Sequence, residues 1–458
     1  MKSRLRAAAT SLALIVIVAL GIRLLFLYDY VAQNPHHVLG IIPFLFEAGD
    51  IAVALASGHG FSSPFRVPTG PTAWMTPVYP LLLAVIFRVF GTYTFSAYLA
   101  AALLNVLFAT LACIPIYYAA RRIGGAGLAA GAAWLWAIFP NAILLTFESM
   151  WGACLSALLA ATVLGATLAL DQSRRLRDWC LYGLLWGFLL MTDPTVASVL
   201  PFLLVWLAWR DWRKHRPQKI RASLAHPALA LGVALLCCVP WTVRNYQVFH
   251  TVVPLRSVLG LQLWLGNNPH ANPFWRASLH PINDPAERAK YVRMGEIAYM
   301  HQKLRQAVRY MASHPRHEAE LIWRRFLAIW AGGTPFPIKD FLANRSLWFR
   351  YVLLFNLLAA LGAAAGIVIL FRRRNAYALP VAVFPLIFPW AFYLTLAMPR
   401  YRLPIDPMVM ILLAVTLGSV FPLMQGERDR AAASANARHE TSRNGRSDHT
   451  TLARGIGC

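Results

Sequence analysis

Eight apolar runs, at 7–28, 95–120, 125–143, 150–170, 225–243, 351–371, 377–397 and 403–421, are each about as long as the roughly 20 residues that a helix needs to cross a bilayer. Such runs are too long and too many for a soluble core. A chain that is 58% hydrophobic and 14% charged has to satisfy its backbone groups inside lipid, which predicts an all-α polytopic membrane protein.

The formal net charge of +24 does not point to nucleic acid, because the basic residues form short clusters between apolar runs rather than one face or patch. Orientation in the bilayer accounts for them. The clusters at 2–6, 121–122, 174–177, 210–221 and 372–374, with the tail after 425, are expected on the cytoplasmic side. MKSRLR followed by the run 7–28 resembles a signal peptide, but the run is as long as a span and reads as an uncleaved anchor. Cys113, Cys154, Cys180, Cys237 and Cys238 lie within apolar runs and Cys458 stands apart, which gives neither a disulfide framework nor a zinc pattern.

The charge rule decides two further segments. The segment 78–90 contains Arg88 and is too short to span; if it crossed, Arg121 and Arg122 would face outward, so it is expected as an outer re-entrant or interfacial helix. The segment 179–209 lies between two basic loops and is expected as a hairpin of two short spans, turning at Thr192-Asp193-Pro194. About ten transmembrane helices result, in a multi-pass protein of the cell (inner) membrane with both termini cytoplasmic. The division is a transmembrane module at 1–243 with a first outer loop at 29–94, a mostly helical external cap at 244–347, transmembrane helices at 348–424, and a disordered basic tail at 425–458. Within the cap, the segment 285–315 has helical apolar spacing.

Carboxylates are scarce in the first third of the chain. Between Asp29 and Glu148 the only ones are Glu47 and Asp50, three apart on an expected amphipathic helix at 44–57, which places them on one face. Such a pair suits a general base or a divalent cation, Mg2+ or Mn2+; a solvated helix face is the alternative reading. His36, His37 and His59 fit no zinc spacing.

MPRYRLPIDP, at 398–407, puts Arg400 and Arg402 in a short outer connection, where arginine is disfavoured unless an anion compensates it. A lipid phosphate or pyrophosphate suits the planar guanidinium; snorkelling into headgroups, or pairing with Asp406, would leave no site. A third group, Arg244, Asn245, Arg256, Trp264 and Asn267, offers the charge, amides and rings that a sugar phosphate needs, although an interfacial belt would use the same residues. Glu148 and Asp193 lie at expected span ends and are candidates as ionisable groups near membrane depth.

Four stretches in this order, PTAWMTPVYP (71–80), PWTVRN (240–245), LWLGN (263–267) and RYRLP (400–404), resemble membrane glycosyltransferases of the GT-C fold. The likeness is to the glycosyltransferase family 39 group, which includes protein mannosyltransferases and lipid A aminoarabinose transferases, and it covers roughly 1–424. It implies transfer of a sugar from a polyprenyl-phosphate carrier to an acceptor on the outer face, with an acidic residue of the first outer loop as base. By likeness that base is Glu47 or Asp50, with Glu47 favoured, and Arg400, Tyr401 and Arg402 fall near the carrier phosphate. Tyr79 belongs to the first motif and joins the substrate-binding set, and Glu148 stands where it would position an acceptor or a cation. The sequence departs from the family in lacking a lysine at MTPVY, so another residue has to supply that phosphate contact. A transporter or lipid flippase is the rival class, set against it by nearly uncharged spans and two large outer regions; a noncatalytic relative is the third reading.

Overall fold

The computed structural model describes residues 10–44, 47–215, 220–273, 279–331 and 347–420. The basic group at 2–6, the tail from 425 and the end of the predicted cap lie outside these residues. The described part is helical, with an isolated antiparallel bridge, Ser62 to Pro71, as its β element.

The first run forms α1 (Leu12–Gln33), capped by the Ser11 hydroxyl. The first loop carries α2 (Glu47–Ala56) and α3 (Val78–Phe90), the latter 13 residues long and so as short as expected. Next come α4 (Phe95–Leu111) and α5 (Cys113–Ala137). A break at Gly124 and Gly125 divides α5, and Gly125 holds φ +85°, a left-handed conformation that side chains resist. It falls between the predicted runs 95–120 and 125–143.

A short α6 (Pro140–Leu144) leads to α7 (Ala153–Leu170). The predicted hairpin is present as α8 (Leu176–Thr192), a 3-10 turn (Pro194–Val199) and α9 (Leu200–His215). The long α10 (Ile220–Phe249) continues past 243, so Arg244 and Asn245 belong to a helix end rather than to the cap.

The cap region contains α11 (Leu259–Gly266), α12 (Pro285–Met294), α13 (Glu296–Ser313) and α14 (Pro315–Trp330). The stretch 285–315 is therefore two helices broken at Gly295 rather than one. The chain closes with α15 (Leu347–Arg372), α16 (Ala378–Ile387), α17 (Trp390–Tyr393) and α18 (Asp406–Val420).

Among the described residues, six helical stretches are long and apolar enough to cross a membrane: Leu12–Gln33, Phe95–Ala137, Ala153–Leu170, Ser223–Phe249, Arg350–Arg372 and Leu403–Val420. The tandem stretch Phe95–Ala137 holds two of the predicted runs. The other predicted spans are the shorter hairpin helices and the broken pair α16 and α17. Packing centres on α7 and α18, whose side chains are buried over most of their length.

One charge inside the first span escaped the sequence reading. Arg23 is fully buried and donates to the carbonyls of Ala19 (3.0 Å), Ala137 (3.2 Å) and Trp136 (3.2 Å). The last two carbonyls lie at the C-terminal end of α5, where the helix dipole is negative, so this arginine joins α1 to α5.

Candidate active site

A cavity of about 720 Å³ opens among the first loop, the α8–α9 turn, the cap and the connection before α18. Its wall includes Glu47, Arg66, Tyr79, Trp151, Asp193, Arg256, His280, Arg400 and Tyr401.

The geometry begins at α2. A side chain at Gly49 would lie 2.5 Å from the Phe44 carbonyl oxygen, so the chain enters α2 too closely for any other residue there. That entry sets Glu47 against the cavity. His280 Nε2 lies 3.2 Å from Glu47 Oε1, and both residues are buried. His280 Nδ1 accepts the amide N–H of Ile282 (3.2 Å), which leaves the Nε2 proton for Glu47. The rings of Trp74 and Phe65 meet the imidazole edge-on at 5.4 and 6.0 Å and fix its plane. Burial works against ionisation of Glu47, but the hydrogen bond from His280, with the Arg400 charge, outweighs it and holds this carboxyl below the usual range.

Asp50 shares the helix with Glu47 but not its surroundings. It is absent from the cavity wall and accepts from Tyr93 Oη at 3.2 Å. Burial pushes it up to about 7, against the Arg66 charge and the Tyr93 bond, with the Glu47 charge adding to the rise. The two carboxylates are thus directed at different partners and do not form one cation site. Among the described residues no group of three or more His, Cys, Asp or Glu side chains is placed to hold a metal ion.

The loop between α2 and α3 is drawn into a hairpin-like turn, Thr72 N–H donating to Phe61 O (3.1 Å) and Ser63 N–H to Gly70 O (3.0 Å). At its tip Arg66 reaches the cavity from a backbone with φ +63°, unfavourable for a side chain. The ends of this turn are held from two sides. Arg244 donates to Thr72 O and Phe61 O, each at 2.7 Å. Glu296, buried at the start of α13, accepts from Thr72 Oγ1 (2.5 Å), Ala73 N–H (2.8 Å), Ser257 Oγ (2.6 Å) and Tyr291 Oη (2.6 Å). The cap is thereby fastened to the segment that carries Trp74, Thr76 and Tyr79.

Arg400 occupies another part of the wall, its guanidinium 4.3 Å from the ring of Trp151 and 5.5 Å from that of Tyr401. Tyr401 in turn stacks on Phe392 at 4.5 Å. A cation held on aromatic faces keeps its N–H fork in one plane, the geometry that receives a phosphate.

Several residues that the sequence placed in substrate contact lie elsewhere. Arg402 is buried, donating to Asp406 Oδ1 (2.6 Å), Asn356 Oδ1 and the carbonyls of Ile329 (3.3 Å) and Trp330 (3.0 Å), so its donors are spent within the fold. Arg244 is committed to the first loop. Asn245 donates to Val253 O (2.9 Å), and Asn267 joins Leu394 O (2.8 Å) to Arg325. Trp264 receives Lys303 over its ring at 5.5 Å, and Glu148 is exposed; neither lines the cavity. Tyr79, Arg256, Arg400 and Tyr401 do line it, with Glu47.

The sequence reading missed His280, Arg66, Trp151 and Glu296. A lone histidine and an acid on an amphipathic helix carry no local signal, and a positive φ at arginine is not written in composition.

Comparison with known proteins agrees with this architecture. Residues 72–243 match the family described as dolichyl-phosphate-mannose-protein mannosyltransferase. The fold is that of the GT-C membrane glycosyltransferases. The Archaeoglobus fulgidus oligosaccharyltransferase in complex with Zn and sulfate superposes with a TM-score of 0.53 at 15% identity, over 90% of this chain and 49% of that one. The same oligosaccharyltransferase, AglB, with an inhibitory peptide and a dolichol-phosphate gives 0.52 at 15% identity, over 93% and 52%. The chain therefore spans about half the length of that protein. ArnT from Cupriavidus metallidurans bound to undecaprenyl phosphate is similar at 17% identity over 89% and 77%, with a TM-score of 0.38. No curated protein matches the sequence.

Proposed function

We propose that this chain is an inverting glycosyltransferase that moves a monosaccharide from a polyprenyl-phosphate carrier to a hydroxyl of a protein, lipid or glycan, on the outer face of the membrane. The observation that carries the reading is the cavity, which brings a carboxylate oriented by His280 and an arginine stacked on Trp151 into one space, within a GT-C fold. In this reading the acceptor O–H gives its proton to Glu47 as its oxygen bonds to the anomeric carbon. The bond from that carbon to the phosphate oxygen breaks, and the carrier phosphate leaves with the electron pair. Arg400, with Arg256 and Arg66 on the same wall, compensates the charge that develops on the leaving group.

Glu47 is assigned as the base rather than Asp50 because it faces the cavity, whereas Asp50 does not line it and accepts from Tyr93. The missing lysine of the first motif is answered by Arg400 and Arg66, which present fixed positive charge to a phosphate. The orientation follows the basic loops: termini cytoplasmic, cavity outward, in the cell (inner) membrane.

Transfer of radiolabelled sugar from undecaprenyl-phosphate-linked hexoses by purified protein in lipid nanodiscs tests this. Glu47→Gln should lose transfer and Asp50→Asn should keep most of it. Full transfer by Glu47→Gln would remove Glu47 as the base.

A further inference from the structure

Asp193 is a second carboxylate on the cavity wall, contributed by the turn between α8 and α9. It is anchored through one oxygen: Oδ1 accepts both the Thr195 amide N–H (3.1 Å) and the Thr195 hydroxyl. Among the described residues Oδ2 has no protein hydrogen bond and Asp193 forms no ion pair. Asp193 is half-buried and is not among the buried polar atoms left unsatisfied, so its remaining lone pairs are accessible.

The turn is also tied to the first loop. Thr76 Oγ1 donates to the carbonyl of Thr192 at 3.1 Å, so the wall that carries Tyr79 and the wall that carries Asp193 hold a common register. Thr76, Thr192, Thr195, Gln262 and Asn283 line the same space and supply neutral donors and acceptors, a polar set unlike the aromatic surroundings of Arg400.

A carboxylate fixed at one oxygen, with the other left to accept in the cavity, takes hydrogen bonds from hydroxyls and repels phosphate. We infer that Asp193 reads the hydroxyl groups of the transferred sugar, as a specificity-determining residue separate from Glu47 and from the arginines that face the carrier phosphate. This rests on the proposed glycosyl transfer and extends it by assigning the Asp193 part of the wall to the sugar ring.

Equilibrium binding to the full-length protein in nanodiscs separates the two layers, with tritiated undecaprenyl phosphate compared against undecaprenyl-phosphate-linked mannose, glucose and galactose. The wild type should bind at least one sugar-bearing carrier more tightly than the bare carrier. Asp193→Ala should erase that preference, a loss of roughly ten-fold or more for a hydrogen bond to a charged group, and leave the bare carrier unchanged within about two-fold. Asp193→Asn, which keeps an acceptor oxygen without the charge, should fall between. Retention of the full preference in Asp193→Ala, or equal weakening of bare and sugar-bearing carriers, would overturn the assignment. A wild type that binds the bare carrier without any sugar preference overturns this inference alone; one that binds no carrier overturns the proposed function with it.

Discussion

Arg400 lines the cavity with its guanidinium 4.3 Å from the Trp151 ring, while Arg402, two residues on, is packed in a seam between helices. In that seam its donors are shared among Asp406, Asn356 and the carbonyls that end α14. Glu47 and Asp406 differ in the same way. Each is a buried carboxylate, but Glu47 borders open space and Asp406 is enclosed by its arginine. The seam pairs its arginine with Asp406, Asn356 and backbone carbonyls and so holds helices together, whereas the wall presents its charges to a space large enough for a substrate. Residue type does not distinguish the two; the location of the partner does.

Exchanging the two kinds of site should produce opposite failures. Glu47→Gln should lower transfer by about 10²–10⁴-fold, the usual worth of a positioned general base, with its melting temperature in detergent kept close to wild type. Arg402→Ala or Asp406→Ala should do the reverse. Each strands a buried charge at a cost of about 3–5 kcal/mol, read as loss of folded protein on size exclusion, and a paired apolar replacement should recover part of the yield. If Arg402→Ala folds normally and loses only carrier binding, the contrast between wall and seam is broken.

A smaller effect sharpens the wall itself. Arg400→Lys keeps the charge and loses the planar stack on Trp151, so carrier binding should weaken by about three- to thirty-fold, measured with undecaprenyl phosphate at constant salt.

The pH profile probes Glu47 and its partner. The base is active when ionised, so transfer should fall as pH drops through its depressed value. His280→Ala removes the bond that opposes burial, so the acid limb should move to higher pH. His280→Gln, which can donate in place of Nε2–H, should move it less. An unmoved limb in His280→Ala would remove the positioning role.

Asp50 gives the smallest signal and concerns stability alone. Its folded value is raised, so the folded state holds the proton longer than the unfolded chain. Stability should therefore decline as pH rises from the ordinary 3.8 to about 7, and be flatter in Asp50→Asn over the same window.

Much of the fold was legible because bilayer thickness translates directly into run length, and basic loops fall between runs. The hairpin turning at Asp193-Pro194 and the short helix Val78–Phe90 were found on those grounds. Gly295 was not expected to break the cap helix, since apolar spacing continues through it. In the site, Glu47 stood out as one of two acids in a long acid-free stretch, but its partner His280 is more than 200 residues away and carries no motif. Arg400 and Arg402 looked alike for the same reason. Asn356 and the carbonyls of Ile329 and Trp330, which fix the second of them, lie far off in the chain, and only Asp406 was near enough to be suggested. Arg23 shows the converse, a charge in a span that finds carbonyls at a neighbouring helix end.

In the proposed mechanism the cavity holds the carrier phosphate at Arg400 and presents the sugar to Glu47. A structure of the Glu47→Gln protein with an undecaprenyl-phosphate-linked hexose bound tests it most directly. Phosphate oxygens are expected within hydrogen-bond reach of Arg400, with the anomeric carbon facing residue 47. A phosphate held at Arg402 or Arg244, or a sugar outside the cavity with residue 47 still bonded only to His280, would contradict it.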